Sequence, residues 1–187
     1  FIAEMVHELR TPLLALQAST TLLQHPQLTE DKKSNIVTTM KGETERLITL
    51  TNDFLDVARL ESGRVTLDID TYDMQQLLQE TAEMVMPQAA NKGVTIEVTE
   101  DSYSVEADRG KMKQVALNLL TNAIKYNRPN GTITLSLEPQ YESDIPMVQI
   151  CVADSGYGIS KEHQKNMFQK FYRVPTLENV ERGTGLG

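Results

Sequence analysis

The residues of this chain that could do chemistry fall into two groups, one at its start and one in its second half. The first is His7 with Glu8, in the run HELRTP (residues 7–12). A neutral imidazole is a nucleophile toward phosphorus when one ring nitrogen is free and the other is held as a donor. A carboxylate beside it can accept the ring proton and stabilise the positive charge that develops. Alone, a His-Glu pair is ordinarily two solvated side chains, so its meaning turns on the second group. That group is NLLTNAIKY (118–126), DSGYGI (154–159), FQKFYR (168–173) and GTGLG (183–187). Asn118 and Asn122 stand one helical turn apart, so their amides point the same way. Gly156 and Gly158 let the backbone turn closely against a bound group. Gly183, Gly185 and Gly187 supply backbone donors of the kind found where a helix begins. Together these segments describe a nucleotide pocket, and a nucleotide pocket with a nucleophilic histidine describes phosphoryl transfer.

The elements that must position these groups can be read from hydrophobic spacing. Ile2, Val6, Leu9, Leu13, Leu16, Thr20 and Leu23 alternate steps of four and three, the seam of a coiled-coil-like helix. On that register His7 and Glu8 lie between Val6 and Leu9, on the outside of the helix. Pro12 sits within the seam and is expected to bend the helix just past His7. His25-Pro26-Gln27-Leu28 breaks the pattern, and Thr29 caps a second helix carrying Ile36, Met40, Leu47, Leu50, Phe54 and Val57. That helix ends near Gly63. Two long helices with one apolar stripe each leave apolar surface exposed, and a homodimeric four-helix bundle is the natural way to bury it. From Arg64 the texture changes. Val65, Leu67 and Ile69 alternate; Met74–Ala90 reads as a helix after Asp73; Val94, Ile96 and Val98 alternate. Lys111–Asn127 is helical after Asp108, Thr132–Leu137 and Met147–Ala153 are strands, and Pro129-Asn130-Gly131 is a turn. The fold class is therefore α+β: a helical hairpin over residues 1–63, then an α/β sandwich over 64–187.

The order and wording of the motifs resemble the sensor histidine kinases of two-component signalling, through nearly the whole chain. His7 matches the H box, Asn118–Tyr126 the N box, Asp154–Gly158 the first glycine box, Phe168–Arg173 the F box, and the closing GTGLG the second glycine box. The resemblance implies a dimerisation and histidine-phosphotransfer hairpin followed by a catalytic ATP-binding domain of the gyrase, chaperone and histidine-kinase superfamily. It implies ATP-dependent phosphorylation of His7, with Glu8 as the neighbouring base, and transfer to an aspartate on a response-regulator receiver domain. In the pocket it implies that Asn122 ligates Mg2+ through its carbonyl oxygen, with Asn118 supporting phosphates or metal. Few protein oxygens with water and phosphate as the remaining ligands suit that ion. Lys125 is then the cation for the phosphates and Tyr126 an aromatic face for the adenine. Asp154 accepts from the adenine amino group, which selects against guanine. Phe171 and Arg173 lead into a lid over the phosphates, Val174–Arg182, Arg173 being either a phosphate contact or an ordinary surface charge. Thr11, one turn beyond His7, matches the position that orients a hydrolytic water and so implies phosphatase activity, the alternative being an exposed threonine before a proline. Leu14 and Ala18 continue the face of His7, either as a receiver-docking patch or as a wider bundle stripe. Val6 departs from the family, which commonly has a small polar residue there.

Bulk properties bound what else the chain could be. The 187 residues are 40% hydrophobic and 24% charged, which suits one or two domains with real cores and excludes a disordered tail. A net charge of −8 with no dense basic stretch gives no footprint for nucleic acid. The single cysteine, Cys151, can form neither an internal disulfide nor a cysteine-rich metal site and is expected to be a buried small hydrophobe. No apolar run is long enough for a membrane span and no signal peptide is visible. Both ends read as cut, the second glycine box being incomplete, so the chain is expected to be the cytoplasmic portion of a membrane-anchored protein. Membrane contact would then be made only by regions outside this sequence. Gyrase-type ATPases share the pocket, but they lack a histidine-bearing hairpin before it. A degenerate, non-catalytic scaffold is disfavoured because every nominated position carries the expected residue type.

Overall fold

In the computed structural model, residues 2–63, 66–141, 146–169, 172 and 174 are described. They form two compact units, one of residues 2–63 with 168, 169 and 172, the other of residues 66–141 and 146–167 with 174. The first is a pair of helices, α1 (Ile2–Leu23) and α2 (Glu30–Glu61), packed along each other. Asp31 and Glu30 in the first turn of α2 and Arg59 in its last turn complement the helix dipole. Thr29 occupies the N-cap position in extended conformation but makes no side-chain capping bond. The helix starts there because the preceding Pro26 turn ends, and its dipole charges suffice.

The expected seam divides in two. Leu9, Leu16 and Leu23 are half-buried against α2, whereas Val6, Leu13 and Thr20 are exposed. Each set repeats every seven residues, so one row faces the neighbouring helix and the other row faces outward. The inward row is completed by Pro12 and Ser19, both buried. Besides Pro12, Leu50 is the buried apolar side chain among the described residues of the hairpin, while Val37, Ile48, Leu55 and Leu60 of α2 stay exposed. Pro12 donates no amide to the Glu8 carbonyl one turn before it, and its ring is buried on the contact face.

The second unit is an α/β domain. β1 (Ile69–Asp73) pairs antiparallel with β3 (Ser104–Asp108), and a mixed sheet runs in the order β2 (Thr95–Val98), β4 (Thr132–Gln140), β5 (Met147–Asp154). β2 is parallel to β4, and β4 antiparallel to β5. α3 (Met74–Lys92) and α4 (Arg109–Lys125) pack together on the sheet, and a short α5 (Lys161–Gln164) follows the glycine-rich turn. Leu77, Leu78, Val85, Leu120, Ile124, Ile133 and Leu135 supply the core. Their spacing of three and four on the helices and two on β4 is the physical cause of the arrangement. A fully buried leucine of this kind stabilises by about 1.5–3 kcal/mol relative to exposure.

Three expectations shift. The strand expected at Val65–Ile69 starts instead at Ile69, and Leu67 and Ile69 are exposed, because pairing with β3 starts at the Ile69 to Asp108 register. β3 itself was not anticipated. Cys151 is half-buried rather than buried, since β5 lies at the sheet edge.

The two long helices of this unit, α3 and α4, are capped by aspartates that the sequence marks. Asp73 accepts from the Gln76 amide and from the Ser102 hydroxyl, and Asp108 accepts from the amides of Lys111 at 2.9 Å and Asp68 at 3.0 Å. The Ser102 hydroxyl chiefly holds the Asp73 carboxyl below its ordinary range, and the Lys111 amide does the same for Asp108. Asp108 thus fixes the start of α4, and the Lys92 ammonium donates to the Lys125 carbonyl at its end. α4 is the helix that carries the N box.

Candidate functional site

Within the hairpin, His7 is exposed on α1. Thr11 is exposed one turn on, and its hydroxyl donates to the His7 carbonyl at 3.4 Å, a long back-bond within the helix. Leu14 and Ala18 are exposed on the same side. Glu8 is a correction to the expected geometry. It points not outward with His7 but toward α2, where the Arg46 guanidinium lies 3.2 Å from its Oε2. Both side chains are less than a third exposed, and Arg46 is also 4.0 Å from Glu43. The reason is the seam register: with Pro12, Ala15 and Ser19 inward, Glu8 falls on that same stripe. Arg46 is a residue that sequence reasoning missed. An arginine amid charged and polar residues on α2 carries no signal until its partner across the hairpin is known.

In the second unit, α4 buries Ala116, Leu120, Ala123 and Ile124 and leaves Asn118 and Asn122 exposed on its other face. Lys125 and Tyr126 close the helix, with the Lys125 ammonium 5.1 Å from the Tyr126 ring centre. The first glycine box arrives at this same place. β5 ends at Asp154, whose Oδ1 accepts the Gly156 amide at 2.9 Å, and the Tyr157 amide donates to the Tyr126 carbonyl at 3.2 Å. A Cβ on Gly156 would stand 2.4 Å from that carbonyl and 2.7 Å from Asp154 Oδ1, so no larger residue fits there. Gly158 turns with φ +70°, the left-handed region. The structure therefore brings together Lys125, Tyr126, Asp154 and Gly156, with Asn118 and Asn122 further back on the exposed face of α4 and Gly158 in the same turn as Gly156. Phe171, Arg173, Gly183, Gly185 and Gly187, and the expected lid, lie outside the described residues.

The donor chemistry fits a magnesium-bound nucleotide. Among the described residues there is no group of three or more His, Cys, Asp or Glu side chains that could cage a metal. Two neutral amide oxygens on an exposed helix face suit an ion that keeps water and phosphate as most of its ligands. A cleft of about 450 Å³ lies elsewhere, between α3 and β2, and its lining of Met86, Pro87, Ala90, Val94, Thr95 and Ile96 carries no catalytic group. No helix of the described residues is long and apolar enough to cross a membrane.

Comparison with known proteins agrees with this geometry. Residues 1–63 match the His Kinase A (phospho-acceptor) domain, and residues 107–187 match the histidine kinase-, DNA gyrase B-, and HSP90-like ATPase family. The sensor histidine kinase GacS of Pseudomonas protegens is 30% identical over all of this chain, which spans 21% of that protein. The chain spans about a fifth of the length of such curated relatives. Full-length ShkA, solved in complex with AMPPNP, superposes with a TM-score of 0.68 at 30% identity, covering 98% of this chain and 38% of that one. The Acinetobacter baumannii histidine kinase AdeS shares the fold, with a TM-score of 0.75 at 24% identity over 96% of this chain and 82% of its own. With a phosphoacceptor hairpin and an ATPase-type α/β unit in one chain, and kinase relatives matching its full length, this chain belongs to the sensor histidine kinases of two-component signal transduction.

Proposed function

We propose that this chain is the phosphotransfer and ATP-binding core of a kinase that phosphorylates its own His7 and passes the phosphoryl group to an aspartate of a response-regulator receiver domain. The observation that carries the reading is the meeting of the N box and the first glycine box through Tyr126, Gly156 and Tyr157. Asp154 has one oxygen tied to Gly156, so its other oxygen can accept from an adenine amino group. Tyr126 offers its ring to the base, Lys125 its charge to the phosphates, and Arg173, Phe171 and the glycines at 183, 185 and 187 complete the proposed site. Asn122, with Asn118 beside it, would hold Mg2+, which when bound neutralises phosphate charge. A ring nitrogen of His7 attacks the γ-phosphorus. The N–P bond forms as the bond to the β,γ-bridging oxygen breaks, ADP departs, and the proton on the other ring nitrogen passes to Glu8. For that step the Glu8 carboxylate turns from Arg46, its partner on α2, toward the His7 ring.

The domain boundary is proposed at residues 63 and 64, with the dimer formed through the exposed row Val6, Leu13 and Thr20 and the exposed apolar residues of α2. The chain is proposed as the cytoplasmic portion of a membrane-anchored sensor, which fractionation of the full-length protein checks. The catalytic assignment is tested by a split between affinity and rate. Asn122→Ala should lower Mg-ATP affinity and transfer together. Glu8→Gln should slow transfer by about 100- to 10,000-fold with affinity nearly unchanged. Equal nucleotide affinity in wild type and Asn122→Ala would remove the metal site from that helix.

A second activity, dephosphorylation of the receiver, is favoured by the position of the Thr11 hydroxyl one turn from exposed His7. Thr11→Ala should keep autophosphorylation within a few fold and slow receiver dephosphorylation by about tenfold or more, as when a positioning contact is lost. Loss of both together would mean that Thr11 acts through the helix and not on water.

A further inference from the structure

Just past the N box, where the family motif has ended, lies Asn127, one of the few polar side chains among the described residues with no exposed surface. Its amide sits in a closed ring. Asn127 Nδ2 donates to the Thr132 carbonyl at 3.1 Å, the Thr132 amide donates to Ser155 Oγ at 2.8 Å, and Ser155 Oγ donates to Asn127 Oδ1 at 3.2 Å. The Arg128 amide also donates to Oδ1, at 2.9 Å, which fixes which end of the amide carries the oxygen. The Thr132 carbonyl takes a second bond, from the Ser155 amide at 3.1 Å. Three separate pieces of chain meet in this ring: the end of α4, the start of β4, and the turn that follows β5. A Cβ on Gly131 would stand 2.1 Å from Asn127 Oδ1 and 2.7 Å from Ser155 Oγ, so the loop between α4 and β4 is also shaped to admit the ring.

The geometry points to Asn127, through its ring with Ser155 and Thr132, as a positioning residue that clamps the helix of Asn118, Asn122 and Tyr126 onto the adenine-reading turn at Asp154. It rests on the ATP-binding reading given above. Burying an amide is costly unless its polar atoms are paired, and an apolar residue would fill the space without that demand. What the amide adds is direction. Hydrogen bonds to three elements set their relative register, which dispersion contacts do not. The two ends of the proposed ligand would be read by different elements, the adenine by the turn after β5 and the phosphates and metal by α4. Only a fixed separation between those elements lets one nucleotide satisfy both. Ser155 adjoins Asp154 in sequence, so losing its hydroxyl frees the turn that carries the base-selective carboxylate while leaving the hydrophobic core untouched.

Because Asn127 is fully buried, Asn127→Ala could fail to fold, and the exposed end of the ring is the better handle. Mg-ATP and Mg-GTP affinities would be measured for wild type, Ser155→Ala and Ser155→Thr in the full-length protein, with thermal melting alongside. The positioning role predicts that Ser155→Ala loses about tenfold in ATP affinity and narrows the preference for ATP over GTP, and that Ser155→Thr, which keeps the hydroxyl, restores most of both. A destabilised fold alone would lower the melting temperature without changing the ATP-to-GTP ratio. An unchanged ratio in Ser155→Ala, or equal losses in Ser155→Ala and Ser155→Thr, overturns the clamp and leaves the ATP-binding reading standing. Failure of wild type to bind ATP at all overturns that reading and the clamp with it.

Discussion

The two units of this chain hold themselves together in opposite ways. The α/β unit buries a continuous apolar cluster from α3, α4, β4 and the residue before β2, with Leu77, Leu78, Leu120, Ile133 and Leu135 having no exposed surface. The hairpin buries two apolar side chains among its described residues, Pro12 and Leu50, and leaves Val6, Leu13, Leu14, Leu22, Val37, Ile48 and Leu55 exposed. The proposed nucleotide site rests on a self-sufficient core, and the proposed phosphoacceptor, His7, sits on a helix that keeps an apolar row exposed. Each kind of chemistry is placed on the kind of packing it needs.

That contrast can be broken first in the α/β unit. Leu120→Ala removes a fully buried side chain from the helix that carries Asn118 and Asn122, and should destabilise the unit by about 2–5 kcal/mol, read by denaturant unfolding. A loss under about 1 kcal/mol would show that the site does not rest on this core. In the hairpin the corresponding change should act on association and hardly at all on the subunit. Leu13→Ser touches a side chain that is 55% exposed, so it should leave helicity in place and weaken the dimer, read as a shift toward monomer in sedimentation at micromolar concentration. If Leu13→Ser lowers helicity without changing association, the exposed row is not a dimer surface.

Much of this was legible because periodicity reports burial. The core helices, their aspartate caps at Asp73 and Asp108, and strands β4 and β5 all follow from spacing and capping chemistry. β3 was not legible, because Ser104–Asp108 is short and polar and gains strand structure only by pairing with β1. The spacing of the hairpin seam reads as one stripe, whereas it is two rows of the same period, and sequence does not say which row packs within the hairpin and which stays exposed. For the same reason Glu8 was placed outward and Arg46 was not considered at all. The end of the N box and the first glycine box meet at Tyr126, Gly156 and Tyr157, because α4 ends where β5 delivers its turn. The Asn127 ring was invisible, since it joins residues from three places that no single motif spans.

The central claim is that His7 receives a phosphoryl group from ATP. The most direct measurement is incubation of the full-length protein with γ-labelled ATP and magnesium, followed by acid and base treatment of the labelled protein. A phosphorus-nitrogen bond to imidazole predicts a label that is lost in acid and kept in base, present in wild type, retained when His25 or His163 is replaced, and absent in His7→Gln with ATP binding intact. A label that survives in His7→Gln, or that resists acid, would contradict it.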